Sequence, residues 1–299
     1  MLPHPSQVRL RPTDGGRTAR RLWVLGEPFH ALTYFADESR AAGQAAGLTG
    51  FWASYFAFRA APLGRVGAEV VTATFYNFAP GFVARRVPAV WATVPPAAAL
   101  AARLSGVDAA VRRVLGAGWP ESAEAGELAR LVRTAAAAVE PAGRPLAAAN
   151  AGLPEPTRPH LALWQALTTL REHRGDGHNA VLLHREISGL QAHVLAAAAG
   201  RAPREWLTRA RGWDDESWDA AAAGLAGRGW LADDRLAPEG YAVVDSVEAD
   251  TDRLAVGPWR ALGKAGCDRV AELLRPVRRA IVGAGVWPVA NPIGVPDPT

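Results

Sequence analysis

From Leu22 to Gly283 apolar residues recur three and four apart in alanine-rich windows, and those windows are cut at short intervals by Gly, Pro and residues suited to cap a helix. Alternating strand patterns are almost absent. That combination leaves room for little but packed helices, so the expectation is an all-α chain with an N-terminal helical domain and a C-terminal module carrying one short β-hairpin. Residues 1–20 are Pro/Arg-rich and read as a loose tail. The N-terminal helical domain runs over 21–139, a proline-interrupted linker over 140–158 and a C-terminal helical domain over 159–299.

Within the first domain the spacing predicts helices over 22–35, interrupted at Pro28, and over 50–61, capped by Thr49. Further helices are expected over 65–78, from Pro80 to Trp91 and over 97–115. Pro28 lacks an N–H, so it either frees the carbonyl of Val24 or starts a new helix. In the second domain a helix from Thr157 or Pro159 reaches Leu170, a turn follows, and Asp176 caps a helix to Ile187.

No secretory core and no apolar run long enough for a bilayer is present, which points to a cytoplasmic protein with no membrane partner. The one cysteine, Cys267, excludes an intrachain disulfide and a multi-cysteine metal centre, and reads as a buried inert thiol. Arginine supplies every basic residue but Lys264, and the positive excess lies in the first 120 residues. Dinucleotide-binding and phosphate-loop glycine motifs, His-Glu-x-x-His and the Gly-x-Ser-x-Gly elbow are missing.

Arg171-Glu-His-Arg-Gly-Asp-Gly-His178 is the densest polar run in the chain. His173 and His178 have the spacing of paired metal-ligand histidines, with Asp176 as a third ligand or as the group that fixes a tautomer. Glu27 and His30 share a helix face if the helix continues through Pro28. One reading therefore makes His173, His178, Asp176, Glu27 and His30 catalytic, with a divalent metal on His173, His178 and His30. The bland reading makes the run an interhelical turn with exposed ion pairs. Trp52, Tyr55, Phe56 and Arg59 form an aromatic wall that ends in a guanidinium, and Tyr76 and Asn77 sit among aromatics before Pro80. Tyr55, Arg59, Tyr76, Asn77, Arg171 and Arg174 are thus candidates to hold a polar small-molecule ligand. Asn77 serves equally well as a helix cap.

Residues 188–255 read as three short helices, a two-residue hairpin turn at Asp233-Asp234 and a further helix. This order resembles the winged-helix module of MarR-like regulators. On Glu27-Pro28-Phe29-His30, Arg59-Ala-Ala-Pro-Leu-Gly64, Phe75-Tyr-Asn-Phe-Ala-Pro80, Arg171 to His178 and Thr251-Asp252, the chain from residue 20 onward resembles a bacterial family labelled helix-turn-helix or MarR-like. The resemblance implies a helix-turn-helix part and brings no reaction, cofactor or catalytic residue. The third helix of the module opens Asp214-Asp-Glu-Ser-Trp-Asp219, and residues 213–254 hold 11 acidic and 3 basic residues. Such a surface repels a phosphate backbone and argues against DNA as its partner. The expectation is a small-molecule-binding protein, an enzyme of specialised metabolism with a His/Glu/Arg-lined helical pocket and a degenerate winged helix. The alternative is a ligand-responsive regulator, which requires a homodimer presenting two such modules.

Overall fold

The computed structural model describes residues 14–288, which are helical apart from loops and one two-stranded hairpin. The first helix, α1 (Asp14–His30), starts inside the stretch expected to be loose and runs straight through Pro28. The carbonyl of Val24, left without its helical N–H donor, accepts a hydrogen bond from the Arg278 guanidinium. α2 (Leu32–Phe35), α3 (Asp37–Ala45) and α4 (Gly50–Ala60) follow. α5 (Ala68–Phe75) ends before the predicted boundary because Tyr76 turns to φ 64°. The stretch from Pro80 divides into α6 (Pro80–Ala84) and α7 (Val90–Thr93), since Pro88 lacks the N–H that one continuous helix would use. Pro96 occupies the first turn of α8 (Pro96–Leu115), where a missing N–H costs nothing.

α9 (Ala123–Ala137) leads into 140–158, where α10 (Pro145–Ala151) forms in place of the expected loose connection. The centre of the molecule is α11 (Pro159–His184), 26 residues long, of which 18 are buried, so no face of it is left to solvent along most of its length. It packs against α1, α8, α9, α10 and, beyond it in sequence, α15 (Pro238–Leu254).

The C-terminal module follows the predicted order closely. A capping box joins Ser188 and Gln191 at the start of α12 (Gly189–Ala198). α13 (Arg204–Arg211) ends at Gly212 in the left-handed region, and the Asp214 carboxylate caps α14 (Asp215–Gly227) by accepting from Ser217 N at 2.7 Å. β1 (Leu231–Ala232) and β2 (Arg235–Leu236) pair antiparallel across Asp233-Asp234, both at positive φ, as a tight two-residue turn requires. α15 (Pro238–Leu254), α16 (Val256–Arg260) and α17 (Gly263–Gly283) complete the described chain. Cys267 is buried on α17, its thiol facing the Trp259 carbonyl, and burial raises its pKa. No helix of the described residues is long and apolar enough to cross a membrane.

Three apolar clusters form the interior: one around α1, α8, α9, α11 and α17, one from residues 48–99 with Leu146, and one from residues 181–247 in the C-terminal module. The space where the three meet is the cavity described next.

Candidate functional site

The run Arg171 to His178 is not a turn. It is the middle of α11, and its six side chains leave the helix in different directions. Helical structure survives two glycines because tertiary packing outweighs their low propensity. A side chain at Gly177 would strike the Arg144 guanidinium, with its Cβ 2.7 Å from Nη1. That guanidinium donates to the carbonyls of His173 and Leu254, tying α11 to the end of α15. Asp176 caps a helix, but not its own: its carboxylate accepts from Ala147 N at 2.9 Å in the first turn of α10. Burial pushes the Asp176 carboxyl up to about 6.

Glu172 is the buried hinge of the charge network. It accepts from Arg59 Nε and Nη2 at 2.9 and 3.0 Å and from Arg171 Nη1 at 2.9 Å. Burial alone would raise its carboxyl, but the two guanidiniums overcome that and hold it far below the usual carboxylate range. Arg171 also reaches Glu27 at 3.3 Å, and Trp23 Nε1 donates to Glu27 at 2.7 Å. Glu27 itself is raised by burial despite these partners. Further along α11, Arg174 lies over the Trp23 ring and 2.9 Å from Asp252. Arg20 meets Asp252 and Glu248, both at 2.6 Å, and Arg201 meets Glu248 at 2.9 Å. These pairs fasten α15 to α1 and α11.

Above this network lies a cavity of about 270 Å³. One wall is aromatic: Tyr34, Phe35, Phe51, Trp52, Tyr55, Phe75 and Phe78, with the Tyr34 and Tyr55 rings 5.0 Å apart and the Trp52 and Phe78 rings 5.8 Å apart. The opposite wall comes from α12, α13 and α15, through residues such as Leu195, Leu207 and Val247. Five arginines line it: Arg59, Arg171, Arg174, Arg201 and Arg211.

Four of the five are paired with carboxylates. Arg211 has no carboxylate partner among the described residues. It is 8% exposed; its Nη1 contacts only the neighbouring Ala210 carbonyl at 3.3 Å, its Nε has no partner, and its guanidinium sits 4.7 Å from the Phe78 ring centroid. Burial pulls it below the ordinary arginine value; Tyr55 opposes this, and Arg59 and Arg171 add to it. The contrast with Arg103 is instructive. That guanidinium is buried too and its Nε is likewise without a partner, but its Nη1 and Nη2 donate to Phe58 O, Gln165 Oε1 and Asn150 Oδ1, whereas Arg211 has only the Ala210 carbonyl.

Arg211 is held in place by its backbone. Its carbonyl accepts from Ala79 N at 3.0 Å, and Trp213 Nε1 donates to the Asn77 carbonyl at 3.0 Å. Gly212, at φ 76°, presses against Phe82 so closely that a Cβ there would lie 2.3 Å from the ring. The end of α13 is therefore fixed to the segment 77–82.

Of the residues expected from sequence, Tyr55, Arg59, Asn77, Arg171, Arg174 and His178 line the cavity. Arg59 pairs with Glu172 and also donates to Tyr55 at 3.2 Å. Asn77 follows Tyr76 beyond the end of α5, and its Oδ1 is buried without a partner, so it is not a side-chain cap. Tyr76, Glu27, His30, His173 and Asp176 lie outside the cavity. Tyr76 donates through its hydroxyl to Ile187 O at 2.7 Å, pinning the start of the C-terminal module. Glu27 and His30 border only a small space of about 20 Å³, room for a single water.

The metal reading is corrected by the same geometry. His30 Nδ1 lies 2.9 Å from Thr168 Oγ1, His178 Nδ1 3.0 Å from Thr251 Oγ1, and His173 is buried beside Arg144, which with burial lowers it to about 4. On a continuous helix His173 and His178 stand five positions apart and diverge. Among the described residues no three His, Cys, Asp or Glu side chains converge as a ligand set.

Sequence reasoning missed Arg211, His193, Tyr34 and Arg201. A signal existed for Arg211: it stands four residues after Leu207 on a short helix, so the two share a face, and Leu207 is buried. His193 lines the cavity, whereas His184 is exposed.

The exposed face of α14 is acidic, with Asp215 and Asp219 largely in solvent and both bridged by Arg204 at 2.8 Å. No Lys, Arg, Asn or Gln occurs between Asp215 and Gly227. Searches of curated proteins and of solved structures find no match. A family model described as helix-turn-helix family matches residues 19–288, body and module together, and the chain belongs to that family.

Proposed function

We propose that this helix-turn-helix family member is a cytoplasmic small-molecule-binding protein, and that its ligand is a small anion with an apolar body held in the cavity between the N-terminal helices and the C-terminal module. The observation that carries this reading is Arg211, a buried guanidinium with no counter-ion among the described residues, lining a cavity that also has an aromatic wall. An uncompensated buried charge is costly, and a ligand acid group supplies the missing partner. The cavity volume, about 270 Å³, lies at the lower edge of the range of roughly 300–1,000 Å³ typical for drug-sized ligands. Binding rather than acid–base catalysis is favoured, because four of the five expected acid–base residues, His173, Asp176, Glu27 and His30, lie off the cavity and only His178 lines it.

The test is thermal shift and calorimetry with benzoate, 3-phenylpropanoate and octanoate, each beside its neutral amide. Acids are expected to bind and amides to fail, with Arg211→Met abolishing the difference. Equal binding of acids and amides sinks the reading.

A second reading, a ligand-responsive regulator, is favoured by family membership and by the walls that α12, α13 and α15 contribute to the cavity. The order of helices and hairpin in 188–255 is that of a winged helix, here with an acidic third helix. We read it as a module that packs over the ligand and does not enter a DNA groove. Fluorescence polarisation with duplex DNA at rising salt checks this: no sequence-specific, salt-sensitive binding is expected.

A further inference from the structure

The geometry points to a ligand that carries a hydroxyl donor in addition to its acid group, read by the bare Nε2 of His178. This deepens the proposed ligand site and rests on that reading. Thr251 fixes the tautomer of His178. Its hydroxyl has one proton, and that proton is donated to the Val247 carbonyl at 2.7 Å. The same Oγ1 lies 3.0 Å from His178 Nδ1. Since Oγ1 has no second proton to give, Nδ1 must be the donor. His178 is therefore the Nδ1–H tautomer, and Nε2 bears a free lone pair.

Burial holds this imidazole down at about 4, with Glu248 opposing and Arg174, Arg201 and Arg171 adding to the effect, so it is neutral at pH 7. Nε2 has no hydrogen-bond partner among the described residues, and His178 lines the cavity. His193, on the other side of the same cavity, repeats the pattern: its ring faces the Asn77 carbonyl, and its Nε2 is buried without a partner. A cavity lined by a cation, Arg211, and by neutral acceptor nitrogens suits an acceptor anion and an O–H donor on one molecule. A ligand ammonium is a poor match, because the Arg211 guanidinium, which has no carboxylate partner among the described residues, repels it. The ligand class is a hydroxylated, apolar monocarboxylic acid.

The test compares 3-phenylpropanoate with its three ring-hydroxylated isomers on the full chain by calorimetry, in wild type, His178→Phe and Arg211→Met. At least one hydroxylated acid is expected to bind about tenfold more tightly than the parent in wild type. His178→Phe should erase that gain, so that the hydroxylated acids bind no more tightly than the parent does to the same variant, and Arg211→Met should weaken all four. If the parent binds and no hydroxyl adds affinity, or if the gain survives His178→Phe, the inference is wrong while the anion site stands. If no acid binds wild type, the anion site fails and the inference with it. Nitrogen-15 spectra of histidine-labelled wild type give a readout independent of any variant's folding. An Nδ1–H tautomer at residue 178 is expected, and an Nε2–H tautomer overturns the inference.

Discussion

Arg59 and Glu172 form a two-pronged ion pair, at 2.9 and 3.0 Å, between α4 and α11, with both side chains withdrawn from solvent. Glu172 also holds Arg171, so one carboxylate positions two of the five cavity arginines. Glu172→Gln keeps the shape and removes the charge, leaving two guanidiniums to repel each other. The expected loss of stability is about 3–5 kcal/mol, measured by urea denaturation at pH 7. An unchanged midpoint would show that the pair is dispensable.

Arg211→Met has the opposite expected sign in the ligand-free protein. Removing a buried, unpaired cation and filling its space with an apolar side chain should leave stability unchanged or raise it, by up to about 2 kcal/mol. A structural arginine such as Arg103, with three side-chain or carbonyl acceptors, should behave oppositely on the same replacement. Parallel melting curves of the two variants separate the cases.

Acid sensitivity follows from the buried histidines. His193 is lowered to about 3 and His173 to about 4 by burial, against an unfolded value of about 6.5. The unfolded chain therefore binds more protons between those values, and stability falls as pH drops from about 6.5 towards 4. His193→Phe should flatten that slope. Asp176 works in the other direction: its carboxyl, raised to about 6, binds a proton in the folded state that the unfolded chain has lost, so its contribution is present below about 4 and disappears as pH rises through 6. Asp176→Asn keeps an acceptor for Ala147 and should remove this second dependence, as denaturation midpoints across pH 4–8 would reveal.

Gly212→Ala should cost more than about 1–2 kcal/mol, since it adds left-handed backbone strain to a collision with Phe82. Because Gly212 fixes the end of α13, the same change should weaken acid binding even at temperatures where the protein is fully folded. Calorimetry well below the melting point distinguishes the two effects.

Much of the fold was legible because the helical period, proline positions and caps are local. Ser188, Asp214 and the Asp233-Asp234 turn each do what their residue types imply. The run at 171–178 was misread for the same reason. Glycine and aspartate signal a turn locally, and only the packing of Arg144 against Gly177 and of α10 against Asp176 shows why the helix continues. Arg59 and Arg171 were visible as ligand candidates from their aromatic and polar neighbours. Their partner Glu172 was visible only as one of several charges. Arg211 differs from Arg209 in being buried and from Arg204 also in lacking a carboxylate partner among the described residues, and a missing partner cannot be read from a sequence.

The hydrogen bond from Arg278 to the carbonyl freed by Pro28 spans 254 positions of the chain. A proline inside a helix is commonly a flaw; here it leaves an open carbonyl that a residue near the other end of the described chain fills. α1 carries Trp23 and Glu27, which brace Arg174 and Arg171, so the floor of the cavity waits on α17. α17 is made long after α1, so α1 and the cavity floor it braces could not be secured until synthesis had passed Arg278.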